Sequence, residues 1–241
     1  MNTALIISSY DGSEDLWNTL EQTYKKFWND IELPIFLSTN HKNFSSNLFN
    51  TIKIGKEISW SDNLIKTLNQ INQKYVLLTF DDLFLTAKID NNQIKSIIEY
   101  SIDKDFNYVQ LYRSISKGKR EGLLFKKSRE TKYRNSTIWS LWKKDVLLNL
   151  LKIQESAWEF EINGNIRSSS FDHFYSTRSN VIPFINGIVR GKWNPIAKFR
   201  LKRQGFKVNG TRNSLTIYET IAHKVRDLQF DFLTFLIHLI Y

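Results

Sequence analysis

Cysteine is absent from the 241 residues, which excludes a disulfide framework, a thiolate nucleophile and any cysteine-based zinc site. Proline occurs only three times, so punctuation is sparse, and no domain boundary, internal repeat or low-complexity linker is legible. Neither G-x-x-x-x-G-K-[ST] nor G-x-G-x-x-G is present, which argues against a P-loop NTPase and a dinucleotide enzyme of the usual kind. The four histidines, His41, His173, His223 and His238, show no H-E-x-x-H spacing and none adjoins a serine nucleophile motif, so they read as structural or surface residues. No basic leader precedes the short apolar run at residues 4–7, which suits a buried strand better than a signal peptide. The chain therefore reads as cytoplasmic, and its three N-x-S/T matches, at Asn43, Asn135 and Asn209, carry no glycan in that compartment.

What is present is a globular composition: 41% hydrophobic and 14% aromatic residues are enough to bury a substantial core without staples. A formal charge of +10 calls for an anionic partner, and nucleic acid, a nucleotide diphosphate and an acidic membrane surface all qualify. Lys192, Lys198, Arg200, Lys202, Arg203, Lys207 and Arg212 concentrate that excess toward the C-terminal part.

Along the chain, residues 3–9 read as a strand ending in Ser-Tyr-Asp-Gly, followed by a helix capped at Ser13 and running to about Trp28. Residues 33–37 and 52–54 suggest two more strands. Ser61 is a plausible cap for a helix with Leu64, Ile65, Leu68 and Ile71 at helical spacing, which leads into a buried strand at residues 75–80. A helix from about Asn91, a strand at 108–112 and a strand-like piece with a helix at 138–151 come next. This alternation predicts a mainly parallel α/β sheet whose ligands bind beyond the strands' carboxyl ends, where Asp11 and Asp81-Asp82 would fall. Residues 117–134 and 168–178 read as loops or a hairpin, the places where substrate shape would be decided. From Ser214 the chain carries one apolar helical stripe, and residues 230–241 are apolar nearly all round. Twelve residues make a helix of about 18 Å, against roughly 30 Å of bilayer hydrocarbon, so this tail cannot span.

Four constellations could carry chemistry. Asp81-Asp82 sits between apolar flanks, where two like charges need a cation or hydrogen-bond donors; a divalent metal bridging a diphosphate would serve, and so would a simple capping turn. Trp158-Glu159-Phe160-Glu161, if extended, would place both carboxylates on one face as an acid/base pair, or it is a half-buried amphipathic strand with solvated glutamates. Trp60 and Asn63, in Ser59-Trp60-Ser61-Asp62-Asn63, could meet a base or ribose, or begin a capped helix. Arg190 and Lys192, in a segment with two glycines and Trp193, could wrap a diphosphate or form a basic turn.

In their order, Ser9-Tyr10-Asp11-Gly12, Trp60, Asp81-Asp82, Trp158-Glu159-Phe160-Glu161 and Gly191-Lys192-Trp193 resemble bacterial GT-A-like glycosyltransferases of the capsule and lipopolysaccharide biosynthesis type, over roughly residues 3–195. The resemblance implies a Rossmann-type sheet flanked by helices, with a nucleotide-sugar-binding half at 1–115, an acceptor-binding and catalytic half at 116–195, and a basic, apolar helical tail at 196–241. It implies a UDP- or GDP-linked sugar donor near Tyr10, Asp11, Trp60, Asn63, Asp81, Asp82, Arg190 and Lys192. Asp82 would take a divalent metal, Mn or Mg, although Asp81-Asp82 lacks the spacer of a DxD element. Glu161 would be the base of an inverting transfer, with Glu159 as its rival. The acceptor would be a saccharide or a polyprenyl-diphosphate-linked saccharide, reached by peripheral attachment at the cytoplasmic face of the inner membrane through the tail. A nucleic-acid-binding protein, drawn from the basic charge, and a glycosidase, drawn from the glutamate pair, stand as alternatives ranked below transfer.

Overall fold

The computed structural model describes residues 2–112, 119–131, 133–208, 211–222 and 225. They form two units interleaved in sequence: one comprises Met1–Gly12, Asp30–Phe80 and Asp90–Ile182, the other Ser13–Asn29, Asp81–Ile89 and Pro183–Tyr241.

The first unit is built on β1 (Thr3–Ser8), β2 (Ile35–Thr39), β3 (Phe49–Lys53) and β4 (Tyr75–Phe80), which stand in the order β3-β2-β1-β4 and pair in parallel. Chains of Ala, Leu, Ile and Val without polar alternation form such strands because both faces are covered. Leu5, Ile6, Ile7, Val76, Leu77 and Leu78 are fully buried accordingly. The strand order reverses between β1 and β4, the position where open α/β sheets bind ligands.

Beyond β4 the sheet continues through β9 (Ser140–Lys143), antiparallel to both its neighbours, then β6 (Tyr108–Gln110) and β10 (Phe174–Ser176), which pair in parallel. Its far edge is the hairpin of β7 (Arg120–Glu121) and β8 (Leu124–Lys126), inside the stretch read as loop or hairpin. The stretch 168–178 is not a loop throughout, because β10 lies within it. Its alternation is only three residues long, and Phe174 is held by the core rather than by local pattern.

On one face, α2 (Trp60–Leu68), α4 (Lys144–Leu150) and α5 (Ala157–Ser168) close a core containing Leu64, Leu68, Val76, Leu78, Tyr108, Trp142, Leu147, Phe160 and Phe174. Trp142 is its hub, with ring centroids 4.4 Å from Tyr108, 5.9 Å from Phe174 and 6.1 Å from Phe160. On the other face, Tyr100 of α3 (Asn91–Asp103) packs edge-on against Phe106, which stacks at 3.9 Å on Tyr175. The cap of α2 is Ser59 rather than Ser61: its Oγ accepts from the Asp62 N–H, so the helix opens two residues earlier than its apolar spacing suggests.

The second unit contains α1 (Glu14–Phe27), β5 (Leu83–Leu85) paired antiparallel with β11 (Phe184–Asn186), the hairpin β12 (Ile188–Val189) and β13 (Lys192–Trp193), and α6 (Pro195–Arg203). Trp193 is fully buried and stacks on Phe84, centroids 5.6 Å apart. Residues 217–222 are helical; residues 223, 224 and 226–241, on which most of the expected apolar helical stripe falls, lie outside the described residues.

Trp142→Ala should cost about 3–5 kcal/mol, the range for deleting a buried aromatic side chain. Urea unfolding monitored by circular dichroism checks this; a loss under about 1 kcal/mol would show that Trp142 is not the hub.

Candidate functional site

In the first unit, the chain leaves β1 through Tyr10 and Asp11. Tyr10 is exposed, whereas Asp11 is spent on the fold. Its Oδ1 accepts from the Asn40 N–H at 2.9 Å, both oxygens accept from the His41 and Lys42 N–H groups at 3.0–3.3 Å, and its own N–H donates to Asn40 Oδ1. Desolvation acts upward on this carboxyl, but those three backbone donors hold it below the usual range.

Trp60 opens α2 and packs its ring against Phe80 and Phe160, at 6.2 and 5.4 Å. Trp60 Nε1 and Asn63 Oδ1 are sealed from solvent with no hydrogen-bond partner among the described residues. The same helix end ties down the chain ahead of α5: Asp62 Oδ2 accepts from the Gln154 N–H at 2.8 Å, and Ser61 Oγ from the Glu155 N–H at 3.0 Å. Glu155 then forks onto Arg167 at 2.6 and 2.8 Å, locking the length of α5.

Trp158-Glu159-Phe160-Glu161 lies in α5 and is not extended. Its four-residue alternation imitates a strand, but Ser156 and Glu159 form a capping box: Ser156 Oγ accepts from the Glu159 N–H, and Glu159 Oε2 accepts from the Ser156 N–H at 2.8 Å. The S-x-x-E spacing was the sequence signal for this. Two helical residues apart, the carboxylates point about 200° away from each other. Glu159 is exposed and held below the usual range by the Ser156 N–H and hydroxyl. Glu161 is half-buried, and its Oε1 accepts from Ser136 Oγ at 2.8 Å, the Thr137 N–H at 2.6 Å and Thr137 Oγ1 at 2.9 Å. Its Oε2 has no partner among the described residues.

In the second unit, Asp81-Asp82 turns the chain from β4 into β5. The structure joins this turn to the segment of Arg190 and Lys192, for the Gly187 N–H donates to the Asp82 carbonyl at 2.8 Å and β5 pairs with β11. Gly187 is required there, since a Cβ would enter the Phe84 ring. Arg190 and Gly191, at φ of 50° and 76°, make the two-residue turn of the β12–β13 hairpin. Arg190 is exposed at its tip, and Lys192 Nζ meets Glu219 Oε1 at 2.7 Å, which draws the Glu219 carboxyl down to about 2.

Asp81 is buried and Asp82 half-buried. Desolvation pushes the Asp82 carboxyl up to about 6, opposed by its own backbone N–H and by the Arg212 guanidinium. Arg212 itself is clamped to Asp15 at 2.8–3.0 Å. Sequence reasoning placed Arg212 in a charge cluster and missed this position. Among the described residues no three His, Asp or Glu side chains group as a metal cage would. A desolvated carboxylate in a turn fits the other arrangement, in which Mg²⁺ or Mn²⁺ takes one carboxylate together with phosphate oxygens and water.

No protein-family model matches the chain, and no curated protein matches it. Among solved structures, S. aureus TarS 1-349 in complex with UDP-GlcNAc gives a TM-score of 0.53 at 9% identity, over 76% of this chain and 57% of that one. The mannosyltransferase PcManGT from Pyrobaculum calidifontis, in complex with GDP-Man and Mn²⁺, gives 0.50 at 11% identity, over 93% and 64%. A UDP-glucose pyrophosphorylase complexed with UDP-glucose gives 0.51 at 6% identity, over 77% and 92%. This chain therefore spans less than two thirds of the length of the first two. At these identities the likeness shows the fold: a GT-A-like α/β architecture with a mainly parallel sheet flanked by helices.

Asp82 holds its proton to about pH 6 in the fold but only to about 3.8 in an unfolded chain, so its ionisation costs stability as pH rises through that window. Asp82→Asn should therefore raise the thermal midpoint at about pH 7.5 and leave it unchanged at about pH 3, below both values. Differential scanning calorimetry at both values checks this, and an equal shift at both would refute the titration.

Proposed function

We propose that this protein is a glycosyltransferase that moves a sugar from a UDP- or GDP-linked donor to an acceptor hydroxyl, with Glu161 as the base. The observation that carries the reading is the asymmetry of Glu161: one oxygen is held by three donors while the other is engaged by no described residue, which is how a base is aimed and kept available. The fold supports the reading, since proteins of this architecture include ones solved with UDP-GlcNAc and with GDP-Man.

In the proposed reaction, Glu161 Oε2 takes the proton of the acceptor hydroxyl while that oxygen bonds to the anomeric carbon. The bond from that carbon to the diphosphate breaks, its electron pair leaves with the nucleoside diphosphate, and a single displacement inverts the centre. Within the first unit, exposed Tyr10 is assigned to the nucleoside, whereas Asp11, Trp60 and Asn63 are taken up by the fold; within the second, Asp82, Arg190 and Lys192 are the groups suited to a diphosphate. A divalent metal on Asp82 would offset charge on the departing diphosphate. Lys192 would exchange Glu219 for phosphate.

The finer reading is synthesis of a surface polysaccharide of the capsule, lipopolysaccharide or O-antigen kind, on a saccharide or polyprenyl-diphosphate-linked acceptor, at the cytoplasmic face of the membrane. Support comes from the second unit, which exposes Phe199 on the basic helix α6 and Ile217 and Tyr218 on the helical stretch that follows it in sequence. No helix among the described residues is long and apolar enough to cross a membrane. The glycosidase alternative loses ground because Glu159 and Glu161 do not share a face.

The test is release of nucleoside diphosphate from UDP-N-acetylglucosamine and GDP-mannose with mixed saccharide acceptors, together with calorimetric binding of UDP and GDP with and without Mn²⁺. Glu161→Gln should lower turnover by about 10²–10⁴-fold while nucleotide binding is kept, and Glu159→Gln should leave turnover within about threefold. Equal losses in both variants would remove Glu161 from its role, and absence of nucleotide binding by folded protein would sink the transferase reading.

A further inference from the structure

Lys127 is 2% exposed, and no carboxylate among the described residues touches it. Its Nζ donates to Gln110 Oε1 at 2.6 Å and to the Tyr133 carbonyl at 3.2 Å, and lies 5.4 Å from the centre of the Tyr108 ring. Desolvation, reinforced by the Arg134 charge and opposed by Glu161, holds its amine well below the usual range. A buried amine without an ion-pair partner is costly, and an apolar side chain of similar size would fill the space at less expense.

From that amine a continuous series of hydrogen bonds runs to Glu161. Tyr108 OH donates to Gln110 Oε1 at 3.4 Å and accepts from the Ser136 N–H at 2.8 Å. The single Ser136 hydroxyl proton goes to Glu161 Oε1 at 2.8 Å, so in the 2.8 Å contact of Ser136 with Tyr112 the tyrosine is the donor. The loop bearing Ser136 is fixed to α5 on either side of Glu161: the Arg134 N–H donates to Asn165 Oδ1 at 2.7 Å, and Asn135 Nδ2 to the Phe160 carbonyl at 3.4 Å. Gly164 permits the approach, because a Cβ there would stand 3.1 Å from Asn135 Nδ2. Gln110 Oε1 accepts from both sides and the Ser136 link is a backbone amide, so this series cannot pass a proton. It can only hold position.

We propose that Ser136 and Thr137 are positioning residues for Glu161, and that the buried series Lys127, Gln110 and Tyr108 fixes that pair against the carboxylate. The inference rests on Glu161 acting as the base. Ser136 and Thr137 direct all three donors to one oxygen, so the carboxylate is turned about a fixed Oε1 and Oε2 alone is presented to an acceptor.

The test is a double-mutant cycle on the full chain between Glu161→Gln and the pair Ser136→Ala with Thr137→Val, with Lys127→Met as an independent probe. Each variant is measured for kcat and donor KM with UDP-N-acetylglucosamine and GDP-mannose, and for its urea unfolding midpoint. The Ser136/Thr137 pair should lower kcat about 10–100-fold with donor KM within about twofold, and lower it no further when Glu161 is already glutamine. Lys127→Met should show a smaller kcat loss that also vanishes in the Glu161→Gln background. Equal kcat losses in both backgrounds, or a loss confined to donor KM, would overturn the proposal and leave the transferase reading intact. Turnover of neither sugar by the wild type would overturn both, and coupled urea midpoints would then show that the clamp exists without that catalytic role.

Discussion

The parallel pairing of β1 with β4 is the constraint on which the carboxyl-end edge of the first unit's sheet depends. Six residues of each strand pair in register, from Thr3 opposite Tyr75 to Ser8 opposite Phe80. Burial of Leu5, Ile6, Ile7, Val76, Leu77 and Leu78 at about 1.5–3 kcal/mol each outweighs any local preference nearby. Register fixes where each strand ends, and those ends decide where the chain must turn. It turns first at Asp11, whose carboxylate gathers the three backbone N–H groups after β2. After Phe80 it turns at Asp81-Asp82, where desolvation rather than a partner sets the proton affinity of Asp82.

That framework was legible in the sequence because it rests on apolar runs, which identify buried parallel strands without long-range information. The helices α1, α2 and α3 were legible for a similar reason. Trp158-Glu159-Phe160-Glu161 misled because four residues of alternation are too few to tell period 2 from period 3.6. The decisive signal, Ser156 three residues before Glu159, lay just outside the motif. The grip on Glu161 was not legible at all, since its partners are 24 and 25 residues away and joined to it by folding alone. Lys127 was invisible for the opposite reason: lysine in a basic stretch is read as surface, and only folding brings Gln110, the Tyr108 ring and the Tyr133 carbonyl around its amine.

The net charge of +10 is also redistributed by the fold. Arg212 is taken up by Asp15, Arg167 by Glu155, Lys143 by Asp105 and Lys192 by Glu219. Among the described residues none of the α6 cations forms an ion pair. Lys198, Arg200, Lys202 and Arg203 therefore stand without ion pairs on a helix that also exposes Ile196 and Phe199. A nucleic-acid groove would instead interleave such cations with aromatic rings along a track, and α6 supplies one aromatic.

The carboxylates themselves separate structural from chemical use. Asp11, Asp15 and Glu155 each engage both oxygens, with backbone amides or a guanidinium, and a group so saturated has nothing left to offer a substrate. Glu159 leaves an oxygen over, but on an exposed side chain whose other oxygen closes a helix cap, so water is its remaining partner. Glu161 combines the two conditions that none of the others meets. Its orientation is over-determined by three donors on one oxygen, and its second oxygen, on a half-buried side chain, is engaged by no described residue. A side chain needed only for stability would lower its energy further by pairing that oxygen, as Asp11 does, and Glu161 does so with no described residue. Proton transfer needs an aimed and vacant lone pair, and among these five acids only Glu161 has one on a half-buried side chain whose other oxygen is held by three donors.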